Sequence, residues 1–263
     1  MTKLILPFAL AGLLTMTAPA FAQSAFDGVW KVDLASAQLP DKPYVHSLKD
    51  GVYTCSSCVP AYSIRADGEM HKVDGFSYWD EASIRIVDSQ TVEEAQTLRG
   101  RPVSTSRSQV SADGATLITT WTDTSAPDGT ASSGEGTMSR IAPGATDAHA
   151  ISGAWKNEAV SSASEASLTA TIRLADGVFS FMTGNGYSYE ARLDGPAVPI
   201  IGDLAGATAT VRQLPDGSIE EAEYINGEAA SMMTLTPTAD GEMAVKFKNL
   251  KTDTTTSYKL VRQ

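Results

Sequence analysis

The sequence predicts an all-β protein made of two tandem antiparallel up-and-down β-barrels. Three observations carry that prediction. First, the chain repeats itself. Residues 62–114 align without a gap on residues 189–241 at a constant offset of 127, with 15 identities in 53 positions. The shared residues include Tyr62/Tyr189, Arg65/Arg192, Arg85/Arg212, Glu93/Glu220, Glu94/Glu221 and Gly100/Gly227. Second, Asp-Gly and Asn-Gly dipeptides punctuate the whole length, from Asp27-Gly28 to Asp240-Gly241. Glycine takes positive φ without strain, and Asp or Asn tolerates it, so these pairs suit tight hairpin turns. Third, the segments between them are short and alternate in polarity, as half-buried strands do.

Taken in order, the chain opens on Lys3, an apolar run broken by Pro7, Gly12 and Thr15, and then Ala20-Phe21-Ala22. A basic start, a short apolar run and small residues at a cleavage site describe a secretory signal peptide over 1–22. The run is shorter than the roughly 20 apolar residues a membrane span needs. Residues 23–142 are read as barrel one, 143–150 as a small, polar, Pro- and Gly-bearing linker, and 151–263 as barrel two. In barrel one, strands are expected over 83–87, 91–98, 103–110 and 116–122. In barrel two, they are expected over 207–213, 219–225, 230–235 and 243–247. Residues 161–170 carry the only hint of a helix, and Ser and Thr are weak helix formers. Each repeat is large enough for its own core, and closing the sheet removes aggregation-prone edges.

The opening Phe26-Asp27-Gly28-Val29-Trp30-Lys31 recurs as Ile151-Ser152-Gly153-Ala154-Trp155-Lys156. Each repeat also ends with an arginine in its last predicted strand, Arg140 and Arg262. This pattern resembles the calycin superfamily of lipocalin-like barrels, and more narrowly bacterial secreted lipocalin-like proteins. The resemblance implies that Trp30 and Trp155 pack at a barrel end beneath Arg140 and Arg262. A guanidinium over an indole face gains cation–π attraction and seals that end.

Composition excludes several functions. The chain has 20 Lys and Arg against 31 Asp and Glu, a formal charge of -11. Nucleic-acid partners need a basic surface, which this chain lacks. No later segment reads as a membrane span. The single cysteine pair, Cys55-Ser56-Ser57-Cys58, is read first as a local disulfide, since exported cysteines oxidise. Thiol–disulfide exchange and zinc binding are the competing readings, and the pair lacks the second Cys pair a zinc site usually supplies. Glu93-Glu94 and Glu220-Glu221 are adjacent strand residues, so the members of each pair point to opposite faces and cannot share a proton. No nucleophile elbow, phosphate loop or dinucleotide fingerprint appears, so no catalytic residue, metal site or cofactor is assigned and the reading leans away from an enzyme. Tyr78, Trp79 and Trp121 are the aromatic concentration of repeat one and the expected ligand-binding residues.

The expectation is therefore an exported, periplasmic or extracellular protein that binds a small, apolar ligand without catalysis. One alternative is a protein-interaction or inhibitor module of the cell envelope. A second is a thiol-redox protein using Cys55 and Cys58. The sequence names no protein partner.

Overall fold

The computed structural model describes residues 24–263; the predicted signal peptide lies outside the described residues. The strands run β1 (Gly28–Gln38), β2 (Tyr44–Lys49), β3 (Val52–Cys55), β4 (Tyr62–Arg65), β5 (His71–Lys72), β6 (Glu81–Ile86), β7 (Thr91–Leu98), β8 (Arg101–Val110), β9 (Thr116–Asp123) and β10 (Ser132–Pro143). They continue as β11 (Gly153–Ala163), β12 (Thr169–Ala175), β13 (Val178–Thr183), β14 (Ser188–Arg192), β15 (Val198–Pro199), β16 (Thr208–Gln213), β17 (Ile219–Ile225), β18 (Glu228–Pro237), β19 (Met243–Asn249) and β20 (Thr254–Arg262). One short helix, α1 (Glu165–Leu168), sits inside the segment where a helix was expected. The protein is all-β, as the alternation and the turn dipeptides predict. At Asp50-Gly51, Asp176-Gly177 and Asn226-Gly227 both turn residues have positive φ. That is the type I′ geometry whose twist matches the flanking strands.

The strands form two antiparallel ten-stranded sheets, each curled into a nearly closed barrel. In the first, β4 at one edge returns to β6 near the other through the bridge between Asp67 and Arg85. In the second, bridges Ser188–Ile201 and Leu193–Val211 bring β14 against the opposite edge.

The sheets do not follow the repeats. β11, the first strand of repeat two, lies between β10 and β2 in the barrel of repeat one. β1, the first strand of repeat one, lies between β12 and β20 in the barrel of repeat two. The chain between β10 and β11 is short, and strands joined by a short connection pair as neighbours. That places β11 in the first barrel, and β1 fills the equivalent slot in the second. Barrel one is thus continuous in sequence from β2 to β11. Barrel two takes β1 together with β12–β20, and its seam pairs the two ends of the described chain, with Trp30 opposite Arg262.

Each barrel has its own apolar core. Leu48, Tyr53, Ile84, Val92, Leu117 and Trp155 anchor the first. Trp30, Ile172, Phe179, Ile219, Leu235 and Met243 anchor the second. Trp30 and Trp155 are fully buried, so each tryptophan belongs to the core of the barrel built mainly from the other repeat.

Candidate functional site

The Gly-x-Trp and arginine positions meet in exchanged pairs. The Arg262 guanidinium carbon lies 4.5 Å above the Trp30 ring centroid, and that of Arg140 lies 4.0 Å above Trp155. Each indole donates its N–H to a backbone carbonyl four residues upstream, Trp30 to Phe26 at 2.7 Å and Trp155 to Ile151 at 2.8 Å. Arg140 also donates to the carbonyls of Gly114, Ser152 and Ala150. The glycines of the motif make room for this. Gly28 and Gly153 sit at φ +149° and +143°, and a Cβ on either would fall 2.8 Å from an arginine Nη1.

Inside the barrels, the shared residues Tyr62/Tyr189 and Glu94/Glu221 face inward. Their neighbours Glu93 and Glu220 face outward, as the strand period requires. Glu93 pairs with Arg85 and Arg107, and Glu220 pairs with Arg212 across adjacent strands. The shared arginines Arg85 and Arg212 are therefore outer-face partners of the shared glutamates.

The two inward glutamates have different surroundings. In barrel one, Gln96 donates to Glu94 at 2.9 Å, and the Tyr62 hydroxyl lies 3.5 Å from the same oxygen. Burial raises the pKa of Glu94, and these two donors work against the rise. Around them, Tyr44, Tyr53 and His46 fill the lumen and leave a void of about 170 Å³. His46 contacts the Tyr53 hydroxyl at 3.2 Å, and burial lowers its pKa to about 4. Phe76 and Trp79 stack at 4.0 Å, with Trp79 edge-on to Tyr62.

In barrel two the residue equivalent to Gln96 is Glu223. Ser231 donates to it at 2.6 Å, just as Ser104 donates to Gln96 at 2.8 Å. The amide that satisfies Glu94 is thus replaced by a second carboxylate beside Glu221. Burial, together with the Glu223 carboxylate, pushes the pKa of Glu221 up to about 8. The Tyr189 hydroxyl lies beside Glu221 but closes no hydrogen bond. Neither Glu221 nor Glu223 belongs to an ion pair among the described residues.

These residues line a chamber of about 480 Å³. Phe181, Ile200, Met233, Phe247 and Tyr258 form its apolar wall, and barrel one contributes Tyr78, Trp79, Gln96, Val103, Ser104, Asp123 and Ser125. The barrels are tied together here. Tyr78 donates to Asp203 at 3.0 Å, and the hydroxyls of Ser125 and Tyr187 meet at 2.9 Å. Gly202, at φ +88°, lets Pro127 of the β9–β10 loop pack so closely that a Cβ would come within 2.4 Å of it.

Of the aromatic residues singled out from the sequence, Tyr78 and Trp79 line this chamber, although they belong to barrel one. Trp121 does not. Its ring covers Gly134 on the neighbouring strand, where a Cβ would fall 2.3 Å from it. Cys55 and Cys58 form a disulfide within one tight loop, with Cys55 fully buried. Burial denies that sulfur to an attacking thiolate. The residues that sequence reasoning missed are Tyr189, Glu221 and Glu223. Their signal was in the repeat itself, as a shared Tyr and a shared Glu followed by Gln96 against Glu223.

No protein-family model matches the chain, and no curated protein and no solved structure is significantly similar to it. No helix among the described residues is long and apolar enough to cross a membrane.

Proposed function

We propose that this is an exported, non-catalytic binding protein, related to lipocalin-like barrels, that holds a small ligand in the chamber of barrel two. The observation that carries the reading is the contrast between the two lumens. The lumen of barrel one is a void of about 170 Å³ crowded by tyrosines, whereas the inward residues of barrel two open onto a chamber of about 480 Å³ that barrel one helps to enclose. The larger volume is in the range of small-molecule sites, and an apolar wall with a few placed polar groups is their usual lining. A barrel of this kind either fills with side chains or holds one small ligand; barrel one is filled, and the open chamber beside barrel two supports the second use there. The paired tryptophans and arginines support the kinship with lipocalin-like barrels, and the N-terminal apolar segment supports export.

Native mass spectrometry of the mature protein, purified gently from its own host, tests the reading. A discrete small-molecule adduct that is lost on denaturation is expected, and it should be absent from a Met233→Trp variant, whose larger side chain fills the chamber. A bare polypeptide mass in gentle preparations would overturn it.

A further inference from the structure

The chamber's chemistry narrows the ligand class, on the reading that the chamber binds a small ligand. Its lining includes four carboxyl groups, on Asp123, Asp203, Glu221 and Glu223, and no lysine, arginine or histidine. Asp203 is already satisfied by Tyr78 and by the backbone N–H groups of Ala205 and Ala207. Asp123 is engaged by Ser125. Glu223 has only the Ser231 hydroxyl, and Glu221 has only the Tyr189 hydroxyl beside it. The Tyr189 hydroxyl, in a residue 4% exposed, is also unpartnered at this wall. Buried polar groups are normally hydrogen-bonded, and a buried charge needs a partner. Barrel one meets the same need internally with the Gln96 amide. Barrel two lacks that donor at the equivalent position; Gln96 also lines the chamber, with its amide turned to Glu94.

The missing partner is therefore a donor, and a positive one. A metal ion does not fit, because among the described residues no three acidic, His or Cys side chains converge to hold one. Aromatic faces do fit an organic cation. Tyr189, Phe181, Phe247 and Tyr258 surround the carboxyls, and ring faces attract ammonium groups, most strongly when water is excluded.

We propose that the chamber of barrel two binds a protonated organic amine, its ammonium between Glu221 and Glu223 and its apolar body against Phe181, Met233 and Phe247. The ammonium donates to both carboxyl groups, Glu221 releasing to solvent the proton it holds in the ligand-free protein, and the Tyr189 hydroxyl is free to donate to one of them. Neutral molecules of the same shape lack the positive charge, and anionic ones meet repulsion.

Calorimetric titration of the full mature chain tests this with 2-phenylethylamine and n-octylamine, each against the alcohol and the carboxylate of the same skeleton. The amines should bind about tenfold or more tighter than the alcohols, with the carboxylates weakest. The Glu223→Gln variant recreates the arrangement barrel one already folds with. It should melt no lower than wild type, lose about tenfold in amine affinity and hold the alcohols unchanged. Alcohols binding as well as amines, or amine binding indifferent to Glu223→Gln, would overturn the amine assignment and leave the chamber as a neutral-ligand site. Binding by none of the compounds would also overturn the amine assignment, while the native-mass adduct still decides separately whether the chamber holds a ligand.

Discussion

Glu221 makes the ligand-free protein lose stability as pH rises, and the Glu221→Gln variant should show it. The carboxyl's pKa stands near 8 in the folded protein, pushed up by burial and by Glu223, against an ordinary 4.5. The other titratable groups around it are Tyr189 on β14 and Tyr258 on β20; burial raises the pKa of both, so they stay neutral across this range. Between the two values, the folded state holds a proton that the unfolded chain has released. Raising the pH then favours unfolding, so Glu221's penalty is absent below about pH 4.5 and fully present above about pH 8. A shift of this size at about 1.4 kcal/mol per unit sets a ceiling on the order of 5 kcal/mol. Relaxation and water entry at the chamber reduce that to an expected 2–3 kcal/mol, or roughly 5–10 °C in melting temperature. The assay is thermal unfolding of wild type and Glu221→Gln, without ligand, at half-unit steps from pH 5 to 8.5. The variant should match wild type near pH 5 and pull ahead steadily towards pH 8. Parallel curves, or a wild type that gains on the variant with rising pH, would refute the reasoning.

Three further outcomes follow from the fold. Residues 44–163, which contain the whole first sheet, should fold alone with Trp155 buried, whereas residues 24–141, a complete repeat, should not; circular dichroism and tryptophan emission distinguish them. Gly28→Ala and Gly153→Ala should each destabilise by about 1–3 kcal/mol, because the added Cβ meets an arginine at a positive φ; equilibrium urea unfolding measures this, and a neutral change would refute it. Replacing Cys55 and Cys58 by serine should cost about 2 kcal/mol by loop-closure entropy, a small value because the closed loop is short. Its melting curve should show no loss of cooperativity.

Much of the fold was legible because its signals are local. Strands β7 and β17 match the expected bounds of 91–98 and 219–225, and β8, β9, β18 and β19 differ only at their ends. The pleat period sorts Glu93 and Glu220 outward from Glu94 and Glu221 without any tertiary information. The strand exchange was not legible. Trp30 satisfies the same local pattern whether it packs under Arg140 or Arg262, and only pairing between distant segments selects Arg262. For the same reason, the chamber was hidden. Tyr78 and Trp79 stood out as aromatics of repeat one, yet the cavity they line belongs mainly to barrel two. Trp121 stood out equally but is spent covering a glycine on its neighbouring strand.

The repeat is most informative where its copies differ. Identity at Tyr62/Tyr189 and Glu94/Glu221 gives both barrels the same inward tyrosine and glutamate. Gln96 against Glu223 then sets opposite consequences. An amide beside a buried carboxyl donates to it and closes the site; a second carboxylate repels it and brings no donor. The aromatic residues diverge in the same sense. Tyr44, His46, Tyr53, Tyr62, Phe76 and Trp79 form a continuous chain of ring contacts through barrel one, while Phe181, Phe247 and Tyr258 of barrel two line open volume. A buried pair of carboxyls costs stability, and the Gln96 arrangement shows that this fold accommodates the neutral alternative at the same position. In barrel two the proton that Glu221 keeps offsets part of that cost, and the ammonium proposed above is the group that would take over the rest.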